Sequence, residues 1–278
     1  MPVVKKQSPR KRTSKKKGGV VGRLQSGWDL TDTMSILLYG RSGTGKTTLW
    51  STFPGPVLAI IVSGGKRPGE LRSINTPALR KKVTPVVVQD SSDIRELIEL
   101  DGYATKVIDH ATGLQDLVLK EVLGIEELPE QKSWGMASRD QYGQCSMQCK
   151  EILRAFLSQE CHRVIVAQER EFNNEGEGDL IAPFVHAALT PSLVGWLGPA
   201  CDNICQTFIR QKTTTKQVTI GKKTISKTVK AKGVEYCLRT APDPVYTVKF
   251  RVPRGAEIPD ILVDPTFKEI EQLTRGEG

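Results

Sequence analysis

The stretch "LLYGRSGTGKTTLW" (residues 37–50) decides how the rest of the chain is read. Within it Gly40-Arg41-Ser42-Gly43-Thr44-Gly45-Lys46-Thr47 matches the pattern G-x-x-x-x-G-K-[ST], and Thr48 follows directly. Glycines at these positions let successive backbone N–H groups converge on phosphate oxygens, where a side chain would block the approach. Lys46 is expected to neutralise the β- and γ-phosphates and the Thr47 hydroxyl to bind Mg²⁺, with the positive end of the next helix facing the anion. "SILLYG" (35–40) reads as a strand running into the loop and "KTTLWSTF" as the helix after it, stopped by Pro54-Gly55-Pro56. That is the setting the mechanism requires. The expected ligands of residues 40–48 are ATP and Mg²⁺.

Outward from the loop, short apolar runs alternate with amphipathic helices, the pattern of an α/β fold with a mostly parallel sheet. "VLAIIV" (57–62), "TPVVVQ" (84–89), "TKVID" (105–109) and "RVIVAQ" (163–168) read as further strands, with helices at 91–100 and 113–124. The longest expected helix carries Tyr142, Cys145, Cys149, Ile152, Leu153, Phe156 and Leu157 at a 3-to-4 spacing, one apolar stripe. Residues 210–233 read as a basic β-hairpin turning at Gly221-Lys222. "EYCLRT" (235–240) and "VYTVKFRVP" (245–253) are expected to be late antiparallel strands, with a short helix from Pro265.

Two strand ends carry polar groups of interest. Asp109 closes an apolar run expected to lie beside the loop's strand, where a carboxylate can hold the water shell of Mg²⁺; an acid there can also simply cap the next helix. His110 either touches the phosphate site or starts that helix. Gln168 closes the fifth strand, where an amide can hydrogen-bond a γ-phosphate or an attacking water, or be only a polar strand end.

The charge is divided. Of the net +9, eight Lys/Arg and no acid lie in residues 1–19, and another eight with no acid in 210–232. The rest holds 24 bases against 31 acids, a net −7. An acidic globule with two basic appendages points to local contact with a polyanion. Residues 1–19 are expected to form a disordered tail and residues 20–278 a single ATPase domain. No apolar run is long enough to span a bilayer and no signal-peptide stretch stands at the N-terminus, so the expectation is a protein with no membrane partner. Six scattered cysteines are expected to be reduced and to pack in the core; Cys145/Cys149 and Cys201/Cys205 are each four apart, which on a helix places both thiols on one face.

The ordered set "LLYGRSGTGKTTL", "KVIDHATGL", "QYGQCSMQCKEILRAFL", "RVIVAQER", "GWLGPACDNICQTFIR" and "VYTVKFRVP" resembles the RecA/RadA ATPase core, and is similar to compact phage RecA-like proteins, some of which anneal single strands. The resemblance covers residues 37–275. It implies a RecA-like P-loop NTPase fold, a phosphate-sensing role for Gln168, and DNA-facing loops at 129–140 and 169–183. It also implies that Lys249 and Arg251 reach a neighbouring subunit's phosphates, the alternative being a solvated edge strand. A homo-oligomer, ring or filament, follows from it, acting in phage DNA recombination or annealing, with a single-strand-binding protein as a further candidate partner.

Two departures matter. Such proteins carry a glutamate after the second strand to orient the attacking water, and here "AIIVSGG" places Ser63 there. A hydroxyl cannot take a proton as a carboxylate can, so weak hydrolysis is expected unless Glu169 or another acid supplies the function. The 169–183 loop also holds four glutamates and an aspartate, which repel phosphate. DNA, single-stranded in the leading reading, is therefore expected on the basic tail and hairpin, with Trp134 and Tyr142 as candidate stacking residues. The rival readings are an ATP-bound, non-hydrolysing scaffold that recruits replication proteins, and a helicase or loader motor. The expected compartment is the cytoplasm, that of the host for a phage-encoded chain, with the nucleus as the alternative for a basic tail.

Overall fold

Three short strands are buried on both faces, as in the interior of a sheet covered on both sides. These are β1 (Ser35–Tyr39), β2 (Val57–Ile61) and β4 (Thr105–Asp109), each buried throughout. The computed structural model describes residues 33–63, 69–74, 76–125, 137–173, 183–220 and 223–277. Its main sheet runs β10-β9-β8-β1-β5-β4-β2-β3, with β3 (Val83–Val87) and β5 (His162–Ala167) completing the parallel set around β1. The strands β8 (Asn203–Ile220), β9 (Lys223–Arg239) and β10 (Ile261–Val263) follow on the other side. From β8 to β3 every pairing is parallel, while β9 and β10 are antiparallel. The expected mostly parallel sheet and late antiparallel strands are both present.

Side chains alternate across the strands and so build two cores. Leu37, Leu58, Ile60, Ile108 and Ile165 face one cluster. It is closed by α3 (Ser91–Ile98), α4 (Ala111–Leu123), α5 (Arg139–Leu157) and α6 (Pro191–Ala200). Ile36, Leu38, Ala59, Ile61, Val107 and Val164 face the other. That side is closed by α1 (Lys46–Ser51) with Phe53 just beyond it, by Leu79 of α2 (Pro77–Lys82), and by α7 (Phe267–Arg275), through Trp50, Phe267 and Ile270. The helix starts are set locally. Asp90 accepts from the N–H groups of Ser92 and Asp93 to start α3, and Ser138 with Gln141 forms a capping box on α5. The expected stripe of α5 is buried at Cys145, Cys149, Ile152, Leu153 and Phe156, while Tyr142 at its start is 38% exposed.

Several expectations are corrected. The strand bearing Asp109 does not lie beside the loop's strand, because β5 pairs with both and separates them. Residues 245–253 make only two isolated bridges, Val185 to Tyr246 and Ile204 to Lys249, since Pro244 and Pro253 bracket a segment that crosses the strand ends. The basic hairpin is the outer part of two long strands, paired from Gln206–Arg239 to Ile220–Lys223, whose roots belong to the main sheet. Cys201 ends α6 and Cys205 sits in β8, so this pair shares no helix; all six cysteines are buried and free.

The stretch 169–183 was expected as an acidic loop. Its described ends are instead a hairpin, β6 (Glu169–Asn173) with β7 (Pro183–Ala187). Alternation puts Glu169 and Glu171 on one face. Arg170 and Phe172 take the other, where Phe172 stacks on His186 at 4.0 Å and Arg170 lies over Phe172 at 4.8 Å. The tail 1–19, residues 20–32, Trp134, loop residues 129–136 and 174–182, and the turn at Gly221-Lys222 lie outside the described residues.

At the start of β5 the His162 ring packs edge-on against Phe267, centroids 4.9 Å apart, and near Phe53, while its Nδ1 accepts from the Met34 N–H at 3.3 Å. Burial, helped by the Arg163 charge, lowers its pKa from 6.5 to about 4. The unfolded chain therefore takes up this proton first. His162 supports the fold fully above pH 6.5, and the support wanes as the pH falls toward 4. Urea midpoints across this range should decline for the wild type and decline less for His162→Gln. Parallel declines would place the acid lability elsewhere.

Candidate functional site

The loop between β1 and α1 is shaped from beneath by β8. A Cβ on Gly40 would run into the carbonyl oxygen and hydroxyl of Thr207, so only glycine fits there. Thr44 ties the loop to the same residue, its hydroxyl 2.7 Å from that of Thr207, and donates to the Arg41 carbonyl at 2.8 Å. Gly45 has φ 89° and lies under the Tyr236 ring, whose Cδ1 would be 3.2 Å from an added Cβ.

Lys46 is 7% exposed and its Nζ donates to the carbonyls of Gly40 and Arg41 at 2.6 and 2.7 Å. Burial pushes its pKa down to about 8, against the pull of Asp109 and Glu169. Asp109 closes β4 and is itself 5% exposed; its Oδ2 accepts from the indole of the fully buried Trp50 at 2.9 Å and lies 3.4 Å from the Thr47 hydroxyl. A hydroxyl and a carboxylate side by side are hard oxygen donors suited to Mg²⁺. Among the described residues no group of three or more His, Cys, Asp or Glu side chains is placed to hold a metal. A magnesium ion here would take its other ligands from phosphate and water, its usual habit.

These groups open onto a cavity of about 1050 Å³. Residues 42–48 line it together with Ser63, Asp109, His110 and Gln168, so the chain ends of β1, β2, β4 and β5 deliver the expected residues to one place. His110 starts the helix after β4. It caps α4, accepting from the Gly113 N–H at 2.8 Å, and it lines the cavity. Gln168 is fixed through its backbone N–H, which donates to the Thr112 hydroxyl.

Five expected residues do not line this cavity, the first of them Gly40, which packs against Thr207. The Arg41 guanidinium donates to Glu169 at 2.7 Å, and Gln206 holds the second Glu169 oxygen at 3.0 Å. Arg41 and Glu169 line a smaller neighbouring pocket of about 260 Å³. Lys249 turns to the end of α6, donating to the carbonyls of Gly198 and Cys201, and Arg251 pairs with Asp202 at 3.2 Å. Within one chain neither reaches the phosphate loop.

The sequence reading missed the far wall. Thr207, Tyr236 and Asp264–Thr266 all line the cavity. No local pattern marks them. They arrive through the β8–β1 pairing and through β10, which pairs with β9 only over three residues.

Replacing Lys46 with Ala removes the buried cation of the loop, and calorimetry should show most triphosphate affinity lost with the fold retained; unchanged affinity would remove the loop from the site. Asp109→Asn should abolish the gain in affinity that Mg²⁺ confers while leaving metal-free binding nearly intact. Equal loss in both titrations would make Asp109 a structural partner of Trp50.

The fold and cavity can be set beside known proteins. A family described as an AAA domain matches residues 32–252. No curated protein matches the chain. Among solved structures it is similar to the RadB recombinase, at 16% identity over 63% of this chain and 74% of that one, with a TM-score of 0.34. The flagellar accessory protein FlaH from Methanocaldococcus jannaschii gives 10% identity over 78% of each chain and 0.36. A KaiC-like protein from Pyrococcus horikoshii OT3 gives 12% identity over 84% of this chain and 89% of that one, at 0.40. These likenesses are too distant to transfer an activity. The family match spans most of the chain, including every element that builds the phosphate loop, and on that ground the chain belongs to the AAA domain family.

Proposed function

We propose that the chain binds a nucleoside triphosphate with Mg²⁺, hydrolyses it slowly, and associates with DNA as a homo-oligomer in recombination or strand annealing. The observation that carries this reading is the set of acids at the cavity. Among its lining residues the carboxylates are Asp109 and Asp264. Asp109 already serves Trp50 and Thr47, Asp264 lies beside Tyr236 just before α7, and Ser63 stands where an activating glutamate was expected. Glu169, the substitute considered, is bound by Arg41 and Gln206 outside the cavity.

The division of labour follows from the residues. The loop's backbone and Lys46 hold phosphate, and Thr47 with Asp109 would hold Mg²⁺, whose charge would offset that developing on the phosphate oxygens. Gln168 can orient a water but cannot accept its proton. Retention of nucleotide therefore outweighs its cleavage. The same observation favours a second reading, a nucleotide-bound scaffold that recruits replication proteins.

The DNA element of the proposal rests on charge. The outer part of the β8–β9 ribbon pairs only with itself and carries eight Lys/Arg without an acid over 210–232, and the tail repeats that composition. Such segments attract phosphate without sequence preference.

Turnover measured with and without single-stranded DNA tests the slow hydrolysis, and Ser63→Glu tests its cause. The new carboxylate should raise turnover several-fold, a positioned base being worth roughly 10²–10⁴ in rate. Fast wild-type hydrolysis, or a Ser63→Glu protein no faster, would mean that the activating group lies elsewhere. For DNA, deleting residues 1–19 and, separately, neutralising lysines 222, 223, 227 and 230 should each flatten the dependence of log affinity on log salt, by about one unit per lost phosphate contact. Identical slopes in all three proteins would put the DNA site on the body of the domain.

A further inference from the structure

The outer part of the β8–β9 ribbon is long, narrow and bare along both edges. β1 pairs with β8 only as far as Gln206, and β10 meets β9 only at Cys237–Arg239. Beyond these points neither edge has a strand partner among the described residues, while the two strands stay paired with each other out to Ile220 and Lys223. We propose that this ribbon holds double-stranded DNA by lying along its major groove. The proposal rests on the DNA reading given above and adds which form of DNA is taken and how it is held.

The dimensions fit a groove. Eight successive residue pairs, from Thr213–Lys230 to Ile220–Lys223, lie beyond the register shift at Gln211 and Thr213. At about 3.4 Å per residue they extend for about 25 Å, the rise of about seven base pairs. Two strands about 4.8 Å apart form a body that the major groove, about 12 Å wide, admits and the minor groove, about 6 Å wide, does not. A two-stranded ribbon twists more than a wide sheet, so it can follow a groove. That twist is set at the root. The Gln211 side-chain amide donates to the carbonyls of Ala231 and Gly233 at 2.7 and 3.0 Å, across the register shift, and such a shift sharpens the local twist.

The charge begins where the ribbon leaves the body. Arg210 is paired with Glu235 at 2.8 Å, and from Lys212 to Lys232 the chain carries seven lysines and no acid. The register sets Lys216 opposite Lys227, and like charges at one register position destabilise an antiparallel pair. A polyanion laid along the ribbon removes that cost. Residues 210–233 contain no aromatic residue, so the ribbon offers unpaired bases no surface to stack on. A single strand therefore gains only phosphate attraction from it. A DNA duplex gains the same attraction and the fit of its groove as well. An RNA duplex fails on shape, because its major groove is deep and narrow.

The test is the affinity of the full chain for a short labelled DNA duplex, for its single strands and for an RNA duplex of the same sequence, read by fluorescence anisotropy at one salt concentration. The DNA duplex should bind several-fold more tightly than either of the others. Methyl green, which occupies the major groove, should displace the protein, and netropsin, which fills the minor groove, should not. Replacing residues 214–229 with Asn-Gly shortens the ribbon while its roots stay in the main sheet, and should bring the three affinities together. The combined substitutions Lys216→Gln, Lys223→Gln and Lys227→Gln should narrow the same preference without altering the backbone. Nucleotide binding that still depends on Lys46 shows that either variant is folded. A single strand or RNA duplex bound as tightly as the DNA duplex, or displacement by netropsin alone, overturns the groove assignment, while affinity that falls with the ribbon still upholds the DNA reading. A duplex preference that neither variant changes takes the duplex off the ribbon and overturns the proposal. No binding of any nucleic acid overturns both.

Discussion

The parallel pairing of β8 with β1 is the constraint on which the rest depends. It sets Ile36–Tyr39 against Asn203–Gln206, and the next residue on β8, Thr207, then lies under the phosphate loop. The contact is close enough to exclude any side chain at Gly40 and to hold Thr44 by its hydroxyl. Once β8 is in place, β9 must follow as its antiparallel partner, and Tyr236 comes to rest over Gly45. The short β10 and the capping box at Thr266 then bring Asp264 and α7 to the same wall. One strand pairing thus converts an isolated anion cradle into a walled cavity.

That chain of consequences explains what was legible in the sequence. Residues 40–48 were readable because the chemistry of phosphate binding acts on consecutive residues, and Asp109 and Gln168 because a polar residue closing an apolar run is a local signal. The stripe of α5 was readable from period alone. The far wall was not, because Thr207, Tyr236 and Asp264 earn their places through long-range pairings that leave no mark on neighbouring residues. The separation of β4 from β1 was hidden for the same reason. Period tells that a strand is buried, and nothing in "TKVID" tells which strand lies beside it.

The segment 169–183 shows a subtler limit. Read as a loop, its acids sum to a repulsive surface. Paired as β6 and β7, its described ends sort by parity, with Glu169 and Glu171 on one face and Arg170, Phe172, Phe184 and His186 on the other. Composition over a window measures charge, whereas a strand distributes that charge between two faces that never meet the same ligand. Glu169 then acquires a role that composition could not reveal. It joins Arg41 of the phosphate loop to Gln206 of β8, next to the strand end that carries Gln168.

Electrostatics at the cavity ties the loop's cation to the carboxylates around it. Burial lowers the pKa of Lys46 to about 8, Asp109 and Glu169 oppose that shift, and two loop carbonyls accept hydrogen bonds from its ammonium. A desolvated cation attracts phosphate far more strongly than a solvated one, since the low local dielectric weakens screening. The carboxylates near this cation also hold other groups: Asp109 the Trp50 indole and the Thr47 hydroxyl, Glu169 the Arg41 guanidinium and the Gln206 amide. The cation that would face an anion is thus coupled to Trp50 of α1 and to Gln206 of β8 through the two carboxylates beside it.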